Sequence, residues 1–162
     1  MKYFDELKKA MSLLADHPKT MFIGQAVEYE GTGLYDSLKH IPNDKKIELP
    51  VAEYFQTGLA NGMAIEGTDQ IVNHLDKFVT MSDGKCIPKV IIRVSVGSEY
   101  PIDPQCQHKG NFTEAFRKMT QNIEIVELME PKDIVPSYYK ALSRLDGIST
   151  ILVEFADFIK TK

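Results

Sequence analysis

Residues 89–96 read KVIIRVSV, and this run is the strongest strand signal in the chain. The turn sequence Ser82-Asp83-Gly84 and then Pro88 precede it. A short run of β-branched apolar residues behind turn residues is typical of a strand buried in a parallel sheet. Comparable runs predict further strands, which lie at 20–24, 46–50, 123–129 and 150–155.

Helical patterns separate these predicted strands. Apolar residues recur at helical spacing from Tyr3 to Leu14, and Pro131 opens a later helix at its first turn. Strands that alternate with helices predict an α/β fold, with three α/β/α layers around a mostly parallel sheet. The predicted helices lie at 2–15, 52–65, 69–80, 113–119 and 131–145. A turn and a short helix are predicted within 31–42, and Phe158 and Ile159 close a short tail helix.

The length of 162 residues predicts one domain over 1–162. In parallel α/β folds ligands bind at the carboxyl ends of the strands. The candidate site loops are therefore 24–33, 50–53 and 96–111.

Composition excludes several classes of function. The formal net charge is −4 and no run of basic residues occurs, which argues against a nucleic-acid surface. No apolar stretch is long enough to span a membrane. The N-terminus lacks the apolar core of a signal peptide, and Cys86 and Cys106 do not have a zinc-ligand spacing, so we expect free thiols and a cytoplasmic protein.

The stretch VAEYFQTGLANGMAIEG, residues 51–67, contains an unusual helix. Glu53 stands in its first turn, where the helix dipole favours an acid. Gly58 and Gly62 share one helix face although each glycine weakens a helix by about 1 kcal/mol. By themselves these residues indicate a helix whose start is stabilised by the acid and one face of which packs closely on a neighbouring element. We expect that neighbour to be another chain.

Glu53, Gly58, Leu59 and Gly62 match the pattern of the pyrimidine-binding module of thiamine-diphosphate enzymes. The segments IGQAVEYEGTGLYDSL, KIELPVAE, TDQIVNHLDKF, MSDGKCIPKVIIR and PQCQHKGNFTEAF resemble that module as well. The resemblance covers essentially the whole chain. It is closest to the beta subunits of the decarboxylase component of 2-oxoacid dehydrogenases and more distant to transketolase.

The resemblance implies a catalytic role for Glu53. In the family this glutamate binds N1′ of the aminopyrimidine of thiamine diphosphate. Burial in an apolar site raises the pKa of a carboxyl group, so that it can share a proton with that nitrogen and activate the cofactor. The same resemblance implies that Gln25, Ala26 and Val27 belong to the cofactor pocket, where relatives carry acidic residues at the first two of these positions.

His108 is the second candidate catalytic residue. It lies in the long loop that follows the strongest predicted strand, and it aligns with the substrate-facing histidine of the family. Imidazole suits proton transfer because its pKa lies near working pH. The alternative is that His108 is an exposed loop residue without a catalytic role. That is the only prediction made for His17, His40 and His74.

Two segments of the family are missing from this sequence. Relatives carry a strand and a turn of about fifteen residues between the positions of Gly67 and Asp69. Either this segment is deleted or the printed sequence omits it, and an intact mass of 18.3 kDa would exclude omission. Full beta subunits continue into a second, C-terminal domain, which we do not expect for this chain.

The chain also lacks the family pattern that holds magnesium and diphosphate. The resemblance therefore implies a hetero-oligomer in which a partner subunit binds Mg²⁺ and the diphosphate, with thiamine diphosphate shared across an interface at Gly58 and Gly62. We predict no metal site on this chain, and a second copy of the chain as a further partner.

The leading hypothesis is a small subunit of an enzyme that acts on a 2-oxoacid or a ketose, by decarboxylation or by ketol or aldehyde transfer. A non-catalytic structural or regulatory relative of the module is the alternative. An unrelated flavodoxin-like binding protein is a third interpretation, which makes the Glu53 pattern a coincidence.

Overall fold

The computed structural model describes residues 2–50, 70–87, 89–97 and 109–159. The first part of the chain contains α1 (Tyr3–Asp16), β1 (Phe22–Gly24), α2 (Gly33–Leu38), the 3₁₀ turn Asn43–Lys45 and β2 (Lys46–Glu48). The second part contains the π-helical turn Gln70–Leu75, α3 (Phe78–Met81), β3 (Ile91–Val96), α4 (Thr113–Met119), β4 (Ile123–Leu128), α5 (Pro131–Ser143), β5 (Ser149–Phe155) and α6 (Ala156–Ile159).

All described strand pairs are parallel, and they form two sheets. In the first sheet β1 pairs with β2, so that Phe22 lies opposite Lys46. In the second sheet β5 lies between β3 and β4, with Ile91 opposite Thr150 and Ile123 opposite Ser149. Helices alternate with these strands, and the predicted α/β class with parallel strands and α/β/α layers is therefore confirmed.

The central strand β5 is covered on both faces. Leu152 points to one face, into a core that includes Leu7 of α1 and Tyr138 of α5. Its neighbours Ile151 and Val153 point to the other face, into a second core with Leu75 and Val96. This alternation follows from the two-residue period of a strand, and burial on both faces explains the apolar run Ile151–Val153 at the centre of β5.

The predicted helix 69–80 is divided in two. A π-helical turn ends at Leu75, and α3 begins at Phe78. Asp76 lies in the break and is fully buried. Its Oδ1 accepts hydrogen bonds from the backbone N–H groups of Gln121 (2.8 Å) and Asn122 (2.5 Å). The break therefore lets one carboxylate hold the turn between α4 and β4.

Replacement of Asp76 by alanine should lower the free energy of unfolding by about 2–3 kcal/mol, because two buried amides lose their acceptor. Asp76→Asn keeps one acceptor oxygen and should cost less. Urea denaturation followed by circular dichroism measures both losses. Asp16→Ala, at an exposed site, is the control and should change stability by less than about 0.5 kcal/mol; an equal result for Asp76→Ala would show that the carboxylate has no structural role.

None of the helices in the described ranges has both the length and the apolar composition needed to cross a bilayer. Cys86 is an exposed free thiol, as predicted. Cys106 lies outside the described residues.

Candidate functional site

The loop that follows β1 lies at the carboxyl end of the first sheet. Gly24 ends the strand, and its carbonyl oxygen accepts a hydrogen bond from the N–H of Leu49 at 2.9 Å. Ala26 has a φ of 54°, in the left-handed region that non-glycine residues seldom adopt. The backbone therefore turns sharply just after the strand, at the edge where parallel α/β proteins bind ligands.

Glu48, the last residue of β2, holds this turn in place. Its Oε1 accepts a hydrogen bond from the N–H of Ala26 at 2.8 Å, and its Oε2 accepts one from the N–H of Glu28 at 2.7 Å. Hydrogen bonds to an ionised acceptor are about twice as strong as neutral ones. The carboxylate thus compensates for the unfavourable φ of Ala26 and joins the ends of both strands.

The three predicted cofactor-pocket residues of this loop have different surroundings. Val27 is buried and belongs to the core shared with α1 and α5. Gln25 and Ala26 are half-buried, and the amide of Ala26 is already bonded to Glu48. The remaining site predictions, Glu53, Gly58, Gly62 and His108, fall outside the described residues, as do Gly67 and Asp69.

Substitution of Glu48 by alanine should loosen the loop without unfolding the sheet. The amides of Ala26 and Glu28 lose their acceptor, which we expect to cost about 1 kcal/mol and to speed their hydrogen exchange about fivefold. NMR-detected exchange measures this, with the Leu49 amide as the internal control because its acceptor is a backbone carbonyl. Unchanged exchange at Ala26 and Glu28 would show that Glu48 does not hold the loop.

A buried polar cluster joins the second sheet to α2 and α5. Arg93 of β3 donates two hydrogen bonds to the carboxylate of Glu154 on β5, at 2.7 and 2.8 Å. The hydroxyl of Tyr138 also donates to Glu154, at 2.5 Å, and Arg93 donates to the hydroxyl of Ser37 at 3.2 Å. We call these four residues the Arg93–Glu154 cluster.

The electrostatics of this cluster follow from its burial. Burial alone lowers the pKa of the Arg93 guanidinium, but the adjacent Glu154 carboxylate outweighs it and raises the pKa above its ordinary value. Burial and the same carboxylate raise the pKa of Tyr138 well above its ordinary value. Arg93 therefore remains charged and Tyr138 neutral across physiological pH.

Neither Glu48 nor the Arg93–Glu154 cluster was predicted from the sequence. A signal for the cluster exists in the sequence, since Arg93 and Glu154 are single charges of opposite sign inside two apolar strands. Lone charges in fully buried strands require a partner. For Glu48 the sequence carries no comparable signal, because an acid at a strand end is ordinary.

An apolar cavity lies against the second core. Its walls come from the sheet and from the residues around the start of α4, including Val94, Val153, Phe112 and Phe116. Val94 and Phe112 are also among the exposed large hydrophobic residues. The polar side chain of Asn111 at this cavity is engaged, since its Oδ1 accepts from the Thr113 amide at 3.0 Å and its Nδ2 donates to Glu127 at 2.9 Å.

His17 and His40 have local roles. His17 is exposed, as predicted, and its Nδ1 accepts a hydrogen bond from the amide of Lys19 at 3.3 Å. His40 is exposed, and its Nε2 lies 2.7 Å from the hydroxyl oxygen of Ser12. Partial burial, together with Lys8 and Lys46, lowers the pKa of His40.

Within the ranges that the structure describes, no group of three or more histidine, cysteine, aspartate or glutamate residues is arranged to hold a metal ion. A scan against models of protein families finds no matching family, and a search of curated proteins finds no match.

Proposed function

We propose that this chain is the small subunit of a thiamine-diphosphate-dependent enzyme that acts on a 2-oxoacid or a ketose. The observation that carries the proposal is the pattern of Glu53, Gly58, Leu59 and Gly62, which begins five residues after the end of the parallel strand β2. Ligands bind at that end of a parallel strand. We propose that Glu53, in the first turn of the helix predicted to follow β2, belongs to a ligand site at that edge of the sheet.

The segment expected from the resemblance falls between the two described sheets in chain order. The two parallel sheets are separate among the described strands, and in chain order the division falls between β2 and β3. The segment expected from the resemblance, between Gly67 and Asp69, belongs to the same interval. We propose that a strand supplied by that segment lies between the two sheets.

The described part of the proposed pocket is chemically suited to an aminopyrimidine. Such a ring offers both hydrogen-bond donors and acceptors, and the Gln25 amide can satisfy either. Ala26 adds little bulk at the turn, and Glu48 fixes the backbone there. Preorganisation of this kind lowers the cost of binding a ring at this edge.

In the proposed reaction the bound cofactor supplies the electron sink for cleaving or forming a carbon–carbon bond next to a carbonyl. Glu53 would hold N1′ of the pyrimidine and share a proton with it, which would fix the protonation state of the ring. His108 faces the substrate and donates or accepts a proton. Val27 contributes from the core by anchoring the loop that carries Gln25 and Ala26.

The proposal requires a partner subunit. That subunit binds Mg²⁺ and the diphosphate, the cofactor lies across the interface, and Gly58 and Gly62 let the two chains approach closely. Self-association of the small subunit is a further part of the proposal, as is a cytoplasmic location.

Glu53→Gln tests the proposal, because glutamine keeps the size of the side chain but cannot share the proton. The variant and the wild type are mixed with the partner subunit, thiamine diphosphate and Mg²⁺, and turnover of pyruvate and of fructose 6-phosphate is measured. We expect turnover to fall by about 10²–10⁴-fold, the usual contribution of a positioned acid or base.

Glu114→Gln is the matched control, since it makes the same change at an exposed site of α4. It should retain wild-type turnover. Equal turnover in wild type and Glu53→Gln would rule out the catalytic role of Glu53.

A second candidate function is a non-catalytic structural or regulatory relative of the module. Gln25 and Ala26, in place of the family's acidic residues, and the segment missing between Gly67 and Asp69 favour it. This candidate predicts that the chain binds the partner subunit but that the complex has no cofactor-dependent turnover. Analytical ultracentrifugation of the mixture, run beside the turnover assay, distinguishes the two candidates.

A further inference from the structure

No further inference is drawn: the strongest candidate, the apolar cavity between the second sheet and residues 110–116, carries nothing because no residue that the structure describes shows what covers it.

Discussion

Replacing Arg93 by methionine should lower the free energy of unfolding by about 3–5 kcal/mol, the largest stability loss that we expect from a single substitution in this chain. Arg93 donates two hydrogen bonds to Glu154, whose side chain is completely buried. Methionine fills much of the same volume but leaves that carboxylate in an apolar layer with the Tyr138 hydroxyl as its remaining described donor. Urea denaturation followed by circular dichroism measures the loss.

A second variant separates the cost of an unpaired charge from the value of the ion pair. Arg93→Met combined with Glu154→Leu and Tyr138→Phe removes every ionisable group of the Arg93–Glu154 cluster. Apolar replacement of a whole buried ion pair is often neutral or stabilising, so the triple variant should recover to within about 1 kcal/mol of the wild type. It also keeps the prediction testable if Arg93→Met does not fold.

Arg117→Met provides the matched control. Arg117 pairs with Glu114 at the surface, where both side chains are substantially exposed. Exposed ion pairs contribute about 0–1 kcal/mol, and the control should lose no more than that. If Arg93→Met lost as little as the control, the buried pair would contribute nothing to stability.

The second large effect concerns alkaline pH. Burial raises the pKa of Tyr3 to about 12, with Glu154 adding to the rise, and burial also raises the pKa of Tyr138 well above its ordinary value. The folded state therefore keeps both hydroxyls protonated at pH values where the unfolded chain ionises them, near pH 10. This stability is fully present below pH 10 and is lost as pH rises from 10 towards 12.

Each buried tyrosine should steepen the loss of stability by about 1.4 kcal/mol per pH unit in that window. Tyr3→Phe should remove the part of this pH-dependent loss that Tyr3 causes. The difference in unfolding free energy between wild type and variant should therefore shrink as pH rises from 9 to 12. Tyr139→Phe makes the same change at an exposed tyrosine and is the control for the substitution itself. A constant difference for Tyr3→Phe would contradict the effect of burial on that hydroxyl.

The types of most elements could be predicted from local sequence. KVIIRVSV contains β3, and the helix expected at 131–145 is observed as Pro131–Ser143 with proline in the first turn. Periodicity and cap residues are local properties, so one stretch of chain suffices to recognise them. The predicted helix 69–80 was only partly right, because Asp76 interrupts it to hold a turn 45 residues further along the chain.

The candidate site was predictable to a smaller extent. The loop after β1 lies at the carboxyl end of a parallel strand, as expected, but Val27 is part of the core and the Ala26 amide is bonded to Glu48. Such contacts depend on which strands become neighbours. Glu53 and His108 stay predictions that rest on the motif.

By itself the sequence determined the kind of most described segments, the parallel α/β class and the Glu53 motif, because each of these depends on the spacing of nearby residues. The tertiary structure alone decided that β5 lies between β3 and β4, that Arg93 meets a glutamate 61 positions away, and that Glu48 closes the loop after β1. These contacts join segments far apart in the chain. Their physical basis is the requirement that every buried charge and every buried amide find a partner once the layers have packed together.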